Sequence, residues 1–149
     1  MKYKRAVFDD DTVKQLIDLS YVWEKEGITW GLRHNERSDL EEVCFIALDK
    51  ERIVGYIFGH YDTNEKYSFD EIGAKEFFVS EIYVLPEYRS QGIGRKLFKM
   101  LEDEVKQNVT CITLSTATKD YQRILKFYAE DLGMSFHDAF LFKKIDDRN

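Results

Sequence analysis

The residues of this chain that are best suited to a chemical role are two glycines and two arginines in the stretch 81–96, EIYVLPEYRSQGIGRK. The pattern predicts a strand, a short loop and the start of a helix. Gly92 and Gly94 let the backbone approach a ligand closely, and a helix N-terminus presents unpaired N–H groups and a favourable dipole to an anion. Arg89 and Arg95 add charged donors for phosphate oxygens. These residue types predict a pyrophosphate-binding loop.

Three known kinds of phosphate-binding loop have distinct glycine patterns. A dinucleotide-binding fingerprint, G-x-G-x-x-G, would need a third glycine where Leu97 stands. A Walker loop, G-x-x-x-x-G-K-[ST], is absent. The pattern that remains is R-x-x-G-x-G after a strand that ends I-Y-V-L-P.

The elements that must position this loop can be read from apolar periodicity and from turn residues. They predict one α/β domain over residues 1–149, with a mixed, mostly antiparallel central sheet flanked by helices. The predicted strands are 3–8, 43–48, 52–61, 77–85, 109–114 and 136–142. The predicted helices are 10–26, a short one at 38–42, 94–107 and 120–132. Residues 27–35 and 62–76 are predicted connections.

Together the motifs resemble those of the GNAT superfamily of N-acetyltransferases. The glycine loop resembles the family's motif A, and the stretch KFYAEDLGMSF at 126–136 resembles its second signature, in which Phe-Tyr on a helix leads through Leu-Gly into a last strand. The hairpin at 43–61 fits two further strands of the family. The resemblance covers about residues 43–142, whereas residues 1–40 fit only as a strand followed by one or two helices.

The resemblance implies a GNAT-like acyl-CoA N-acyltransferase fold and acetyl-CoA as co-substrate. In this family the pantetheine arm pairs with a strand backbone that its neighbour leaves exposed, which here would be the backbone of Ile82, Tyr83 and Val84. The pyrophosphate would lie in a cradle formed by Arg89, Ser90, Gln91, Gly92, Ile93, Gly94 and Arg95. The acetyl group would pass directly to a primary amine in a ternary complex.

Acetyl transfer to an amine needs a base for the ammonium proton and an acid for the departing thiolate. Tyr128 matches, residue for residue, the tyrosine that often serves as the acid in this family. Glu81 is the candidate base because it is the one carboxylate in the middle of an apolar strand, where an unpaired charge is costly. Glu76, at the start of that strand, is the alternative base.

Aromatic residues and charge point to the acceptor. Trp30 and Trp23 lie near the first helix, where the family places its acceptor, and aromatic rings attract amines by cation–π contact. Residues 1–80 carry 11 Lys and Arg against 17 Asp and Glu, net −6, whereas the rest of the chain carries 11 of each. We therefore expect a small cationic acceptor, polyamine-like or aminoglycoside-like.

Composition excludes several other classes. Two cysteines 67 positions apart and three scattered histidines predict no metal site. The excess of acid predicts no nucleic-acid partner, and the lack of an apolar run of ~20 residues predicts no membrane partner. Two unpaired cysteines and the lack of a signal-peptide stretch predict a cytoplasmic protein, and we expect a monomer or homodimer. Two alternatives remain open: a non-catalytic acyl-CoA-binding sensor, and an enzyme that acetylates a protein N-terminus or lysine.

Overall fold

The computed structural model describes residues 1–146, and residues 147–149, the end of the predicted domain, lie outside the described residues. Five strands and three α-helices form the described chain. The strands are β1 (Lys2–Arg5), β2 (Val43–Asp49), β3 (Arg52–Thr63), β4 (Lys75–Val84) and β5 (Cys111–Thr113). The α-helices are α1 (Asp10–Glu26), α2 (Ile93–Val105) and α3 (Tyr121–Lys126). Short 3₁₀ turns occupy Arg37–Asp39 and Pro86–Tyr88, and a π-helical turn, Phe127–Asp131, continues α3.

The strands form one sheet in chain order, β1-β2-β3-β4-β5. Neighbouring strands from β1 to β4 are antiparallel, and β4 and β5 are parallel. The predicted mixed, mostly antiparallel α/β sheet is therefore confirmed. None of the helices within residues 1–146 is long and apolar enough to cross a membrane.

Two helices cover the sheet because their sequences bury one apolar face. Asp9 caps α1 by accepting from the backbone N–H of Thr12 at 2.8 Å, and Gly27 ends the helix with a left-handed φ of 65°. The buried face of α2 consists of Ile93, Leu97, Phe98, Leu101 and Val105, at the spacing that the sequence predicts. These helices and β2–β4 form one apolar core, which fixes the end of β4 against the start of α2.

A β-bulge interrupts the pairing of β3 with β4. Phe58 pairs with Glu81 and Gly59 with Val79, so Ser80 has no partner residue opposite. A Cβ on Gly59 would lie 2.0 Å from the carbonyl oxygen of Phe78, which only glycine avoids. The bulge shifts the side-chain alternation at the point where Glu81 stands.

The connection between β3 and β4 is organised by one buried side chain. Asn64 donates from Nδ2 to the carbonyl oxygens of Tyr67, Asp70 and Glu71 and accepts on Oδ1 from the backbone N–H of Tyr67. Both strands extend further than the sequence predicts, to Thr63 and from Lys75.

The predicted last strand at 136–142 is wrong. In the described part of the chain the sheet ends at β5, and Phe140 and Leu141 are 97% and 81% exposed. Alternating apolar residues gave this stretch a strand pattern, but a strand also needs a hydrogen-bonded neighbour. The predicted helix at 38–42 is instead the 3₁₀ turn, and the predicted helix at 120–132 changes from α to π at Phe127.

Candidate active site

The site begins where β4 and β5 part. Their parallel pairing covers only Glu76 with Cys111, Phe77 with Ile112 and Phe78 with Thr113. Beyond β5 the chain bonds to the loop after α1 instead: Trp30 N donates to Ala117 O at 3.0 Å, and Lys119 N donates to Ile28 O at 2.7 Å. The second half of β4 therefore has no strand on its β5 side, and its backbone there is open to an extended ligand.

The glycine loop lies at the far end of that open edge. Gly92 precedes α2 with a φ of 82°, and no atom lies within 4 Å of the position that a Cβ would take. No side chain caps α2, and its first turn holds no acidic residue. The N-terminus of α2 is thus uncapped by any side chain, and its binding of an anion stays a prediction. Arg95 is exposed in that first turn.

The other arginine of the loop is already engaged. Arg89 Nε donates to Val84 O at 2.9 Å, and its two Nη groups donate to the carboxylate of Glu26 at 2.8 and 3.0 Å. Of the three residues expected to offer backbone groups to the pantetheine arm, Val84 therefore has its carbonyl occupied. The backbone of Tyr83 faces β3, where its carbonyl oxygen lies 3.1 Å from the position that a Cβ on Gly55 would take, so of the three only Ile82 presents unoccupied backbone groups to the open edge.

Glu81, the predicted base, is half-buried at the bulge. Tyr56 OH donates to its Oε1 at 2.7 Å, and Asn35 Nδ2 donates to the same atom at 2.9 Å. Burial raises the pKa of the Glu81 carboxyl most, Asp39 and Glu41 raise it further, and the two hydrogen bonds oppose the shift. A carboxylate with a raised pKa is a stronger base than an ordinary one.

An acidic cleft lies next to Glu81. It has a volume of about 400 Å³ and is lined by Arg33, His34, Asn35, Glu36 and Asp39. Asn35 connects it directly to Glu81, and Glu41 lies close enough to raise the pKa of Glu81. Two carboxylates, Glu36 and Asp39, thus line this concave surface together with one cation, Arg33, and Glu41 and Glu81 lie beside it.

Tyr128, the predicted acid, lies in the π-helical turn behind the glycine loop. A Cβ on Gly94 would lie 3.3 Å from Cζ of Phe127, so the Phe127–Tyr128 pair packs against the start of α2. Burial raises the pKa of the Tyr128 phenol to about 12. The hydroxyl is therefore protonated throughout the neutral pH range and has a proton to donate.

The two predicted acceptor-binding tryptophans have different surroundings. Trp30 is 55% exposed, and Lys119 Nζ lies 4.4 Å from the centre of its ring. The ring therefore already receives a cation from the chain itself. Trp23 is half-buried and stacks on Tyr83, with ring centres 4.8 Å apart. Trp23 thus packs on β4 through Tyr83, whereas Trp30 lies exposed in the loop after α1.

The alternative base, Glu76, lies at the closed end of the β4–β5 pair, five residues before Glu81. It is 7% exposed, its Oε2 has no hydrogen-bond partner within residues 1–146, and burial raises its pKa. The described residues form no group of three or more His, Cys, Asp or Glu able to hold a metal ion.

Two residues of the site carried no signal that the sequence analysis used. Asn35 lies in a loop that has no hydrophobic periodicity. Tyr56 lies in an apolar strand, where its pattern does not distinguish it from the other aromatic residues of the strand. The structure joins both to Glu81. Both contacts join segments that are distant in the sequence, so they can be recognised only from the three-dimensional structure.

Comparisons with known proteins agree with this geometry. The sequence matches the Acetyltransferase (GNAT) family over residues 11–134. No curated protein sequence matches it. A mutant of the BH1408 protein from Bacillus halodurans has a similar fold, with a TM-score of 0.67, 19% identity and coverage of 97% of this chain and 99% of that one.

Two further solved structures were captured with their ligands. The predicted acetyltransferase from Clostridium acetobutylicum, in complex with acetyl-CoA, gives a TM-score of 0.66 at 16% identity, covering 96% of this chain and 95% of that one. The aminoglycoside acetyltransferase AAC(6')-Iy, with a bisubstrate analogue of CoA and acetylneamine, gives 0.66 at 15% identity, covering 98% and 99%. At these identities the structures show the fold alone, and the family match shows membership. The chain belongs to the GNAT family of acetyltransferases.

Proposed function

We propose that this chain transfers the acetyl group of acetyl-CoA directly to a primary amine on a small, positively charged acceptor. The observation that carries the proposal is the setting of Glu81. A half-buried carboxylate that receives hydrogen bonds from Tyr56 and Asn35 stands at the bulge, between the open edge of β4 and an acidic cleft. A base at this position would lie between the cofactor and the acceptor, which supports the proposal.

The loop residues fit the pyrophosphate of acetyl-CoA. The uncapped start of α2 and the open space at Gly92 form a cradle of backbone donors over residues 89–95, and Arg95 adds positive charge. The backbone of Ile82, on the open edge of β4, would hold the pantetheine arm. When bound, acetyl-CoA supplies a thioester as the acetyl donor.

The side chains of the site account for both proton transfers. An alkyl ammonium has a pKa near ~10, so its proton must leave before the amine attacks. Glu81 takes that proton, directly or through water, because burial raises the pKa of its carboxylate. Tyr128, whose phenol remains protonated, donates to the departing thiolate. Glu76 lies in the closed, paired part of β4 and is the weaker candidate for the base.

Direct transfer is favoured over a covalent acyl-enzyme. Cys44 is fully buried, and burial raises the pKa of its thiol to about 12, so it holds no thiolate at neutral pH. Burial also raises the pKa of the Cys111 thiol, and Glu76 and Asp70 add to the effect. Neither thiol in the described chain is therefore prepared to attack a thioester.

The preference for a cationic acceptor follows from the carboxylates of the cleft. Glu36 and Asp39 line it, and Glu41 and Glu81 lie beside it. Carboxylates of this kind attract ammonium groups and accept their hydrogen bonds. Trp30 would contact the substrate only where the acceptor displaces Lys119, whose Nζ lies 4.4 Å from the centre of the ring. The likeness to aminoglycoside acetyltransferases supports the same class of acceptor.

The experiment is a thiol-release assay with acetyl-CoA over a panel of amines: spermidine, neamine, a neutral-bodied monoamine and a lysine-containing peptide. We expect the two polycations to give the highest kcat/KM at 0.01 M salt, with about a tenfold fall at 0.1 M, because the Debye length shrinks from ~30 to ~10 Å. Asp39→Asn should reduce the polycation preference, whereas Glu65→Gln, an equal charge change outside the cleft, should preserve it.

The other outcomes identify the alternatives. Acetyl-CoA binding without turnover of any amine would identify a non-catalytic sensor. A peptide that surpasses both polycations would identify a protein-directed enzyme. Equal rates for charged and neutral amines at low salt would mean that the carboxylates of the cleft do not select the acceptor.

A further inference from the structure

An ion pair joins the end of α1 to the glycine loop across 63 residues of sequence. Glu26 is the last residue of α1, and Arg89 follows the 3₁₀ turn that leads into the loop. Arg89 Nη2 donates to Glu26 Oε1 at 2.8 Å, and Nη1 donates to Oε2 at 3.0 Å. The side chains are only 26% and 17% exposed, so water screens the pair weakly.

Aromatic residues and one backbone carbonyl fix the pair in place. The Arg89 guanidinium lies 5.4 Å from the centre of the Tyr83 ring, and Tyr83 OH donates to Glu26. Trp23 in turn stacks on the ring of Tyr83. Arg89 Nε also donates to Val84 O, so all three nitrogen atoms of the guanidinium are hydrogen-bonded within the protein.

The pair connects the two halves of the proposed site. On one side, Glu26 is followed by Gly27 and by the loop that ends at Asn35, which donates to Glu81. On the other side, Arg89 opens the cradle that continues through Ser90, whose φ of 62° is left-handed, to Gly92. A displacement of either residue would therefore move one wall of the site relative to the other.

We propose that Glu26 and Arg89 are positioning residues: their ion pair shapes the glycine loop for the pyrophosphate and fixes α1 and its loop against it. Arg89 then acts through the conformation of the loop and does not itself touch phosphate. The proposal rests on the proposed function only in taking acetyl-CoA as the ligand of the loop, and its test requires no acceptor.

The test is a double-mutant cycle on acetyl-CoA affinity, measured by calorimetry with Glu26→Gln, Arg89→Gln and the double variant. We expect each single change to weaken binding about tenfold, because it leaves the partner charge half-buried and unpaired. The double variant should bind no more weakly than either single variant, because both changes break the same contact. Asp18→Asn, an equal charge change in the exposed Lys14–Asp18 pair of the same helix, should leave affinity unchanged.

Arg89→Lys distinguishes positioning from direct contact. Lysine keeps the positive charge but cannot bond both carboxylate oxygens and Val84 O together. We expect it to weaken binding as much as Arg89→Gln does. In the transfer assay, where turnover is found, KM for acetyl-CoA should rise about tenfold while kcat stays within about threefold, a separation that general destabilisation would not produce.

Three results would overturn the proposal. Additive losses in the double variant would mean that the two residues act separately. Affinity retained in Arg89→Lys and lost in Arg89→Gln would show a direct charge contact. Affinity that is unchanged or higher in Glu26→Gln would show that the ion pair withholds Arg89 from phosphate. If no variant or wild type binds acetyl-CoA, the proposed function fails, whereas binding by wild type with any of these three results refutes only the positioning role.

Discussion

Replacing Gly92 by alanine should weaken acetyl-CoA binding about 5- to 30-fold. Gly92 has a φ of 82°, and no atom lies within 4 Å of the position that a Cβ would take. The added methyl group therefore collides with nothing, and its cost is that of a left-handed backbone alone, ~1–2 kcal/mol. The free variant relieves this strain by changing the conformation of the loop. Binding must restore the conformation, so the same ~1–2 kcal/mol appears as a loss of affinity of 5- to 30-fold.

Gly73 provides a matched control. It too has a left-handed φ, 91°, with no atom within 4 Å of its Cβ position, but it lies between β3 and β4, in the loop that Asn64 organises. Gly73→Ala should carry the same backbone cost as Gly92→Ala and should lower the melting temperature by at least as much. Its affinity for acetyl-CoA should equal that of wild type.

The test is calorimetric titration of wild type, Gly92→Ala and Gly73→Ala with acetyl-CoA, together with thermal unfolding of each protein. Wild-type affinity in Gly92→Ala would refute the assignment of the pyrophosphate to this loop. An equal loss of affinity in Gly73→Ala would show that backbone strain anywhere in the fold reduces binding, and the loop would lose its special role.

Three further predictions concern titratable side chains. Glu81→Gln should lower kcat by roughly 10²-fold or more and abolish the rise of rate with pH through the raised pKa of Glu81, since only the carboxylate accepts a proton; an unchanged profile would exclude this base. Tyr128→Phe should lower kcat by roughly 10²-fold at near-wild-type acetyl-CoA affinity, and full kcat would reduce Tyr128 to a packing role. Glu76→Gln should stabilise the protein by about 1 kcal/mol at pH 7, because it removes an unpartnered buried carboxylate. The pKa of Glu76 is raised on folding, so wild type loses stability as pH rises above the unfolded value. The advantage of the variant, followed by chemical unfolding, should therefore vanish near pH 4, and an advantage independent of pH would contradict this reasoning.

Local patterns of the sequence predicted most of the elements well, including the strand and the helix on either side of the glycine loop. The glycines at 92 and 94, the preceding strand and the following helix are contiguous, so their spacing alone determines how they fold together. Helix α2 and the β2–β3 hairpin are likewise local and were predicted nearly to their ends. The Phe127–Tyr128 pair was identified through resemblance to a family signature, and the structure packs it against Gly94.

Features that depend on distant contacts could not be predicted. Glu26 ends an ordinary amphipathic helix, and nothing in its neighbourhood shows that Arg89 is its partner. Asn35 acquires its role only when the loop after α1 meets β4. The strand predicted at 136–142 was wrong because alternating apolar residues indicate which side chains could share a face. They do not indicate whether a neighbouring strand is present.

The parting of β4 from β5 gives the molecule an unpaired strand edge in the interior of its sheet. Unpaired edges at the outside of a sheet invite pairing with other proteins, and natural sheets protect them. This edge is recessed: the chain after β5 turns away to bond with the loop after α1, and the glycine loop closes the far end. A strand that belongs to another sheet has neighbouring strands about 4.8 Å away, which would not fit beside this edge. A single extended ligand has no such neighbours and fits. The fold can therefore keep its hydrogen-bonding capacity exposed to a thin ligand without offering it to other proteins.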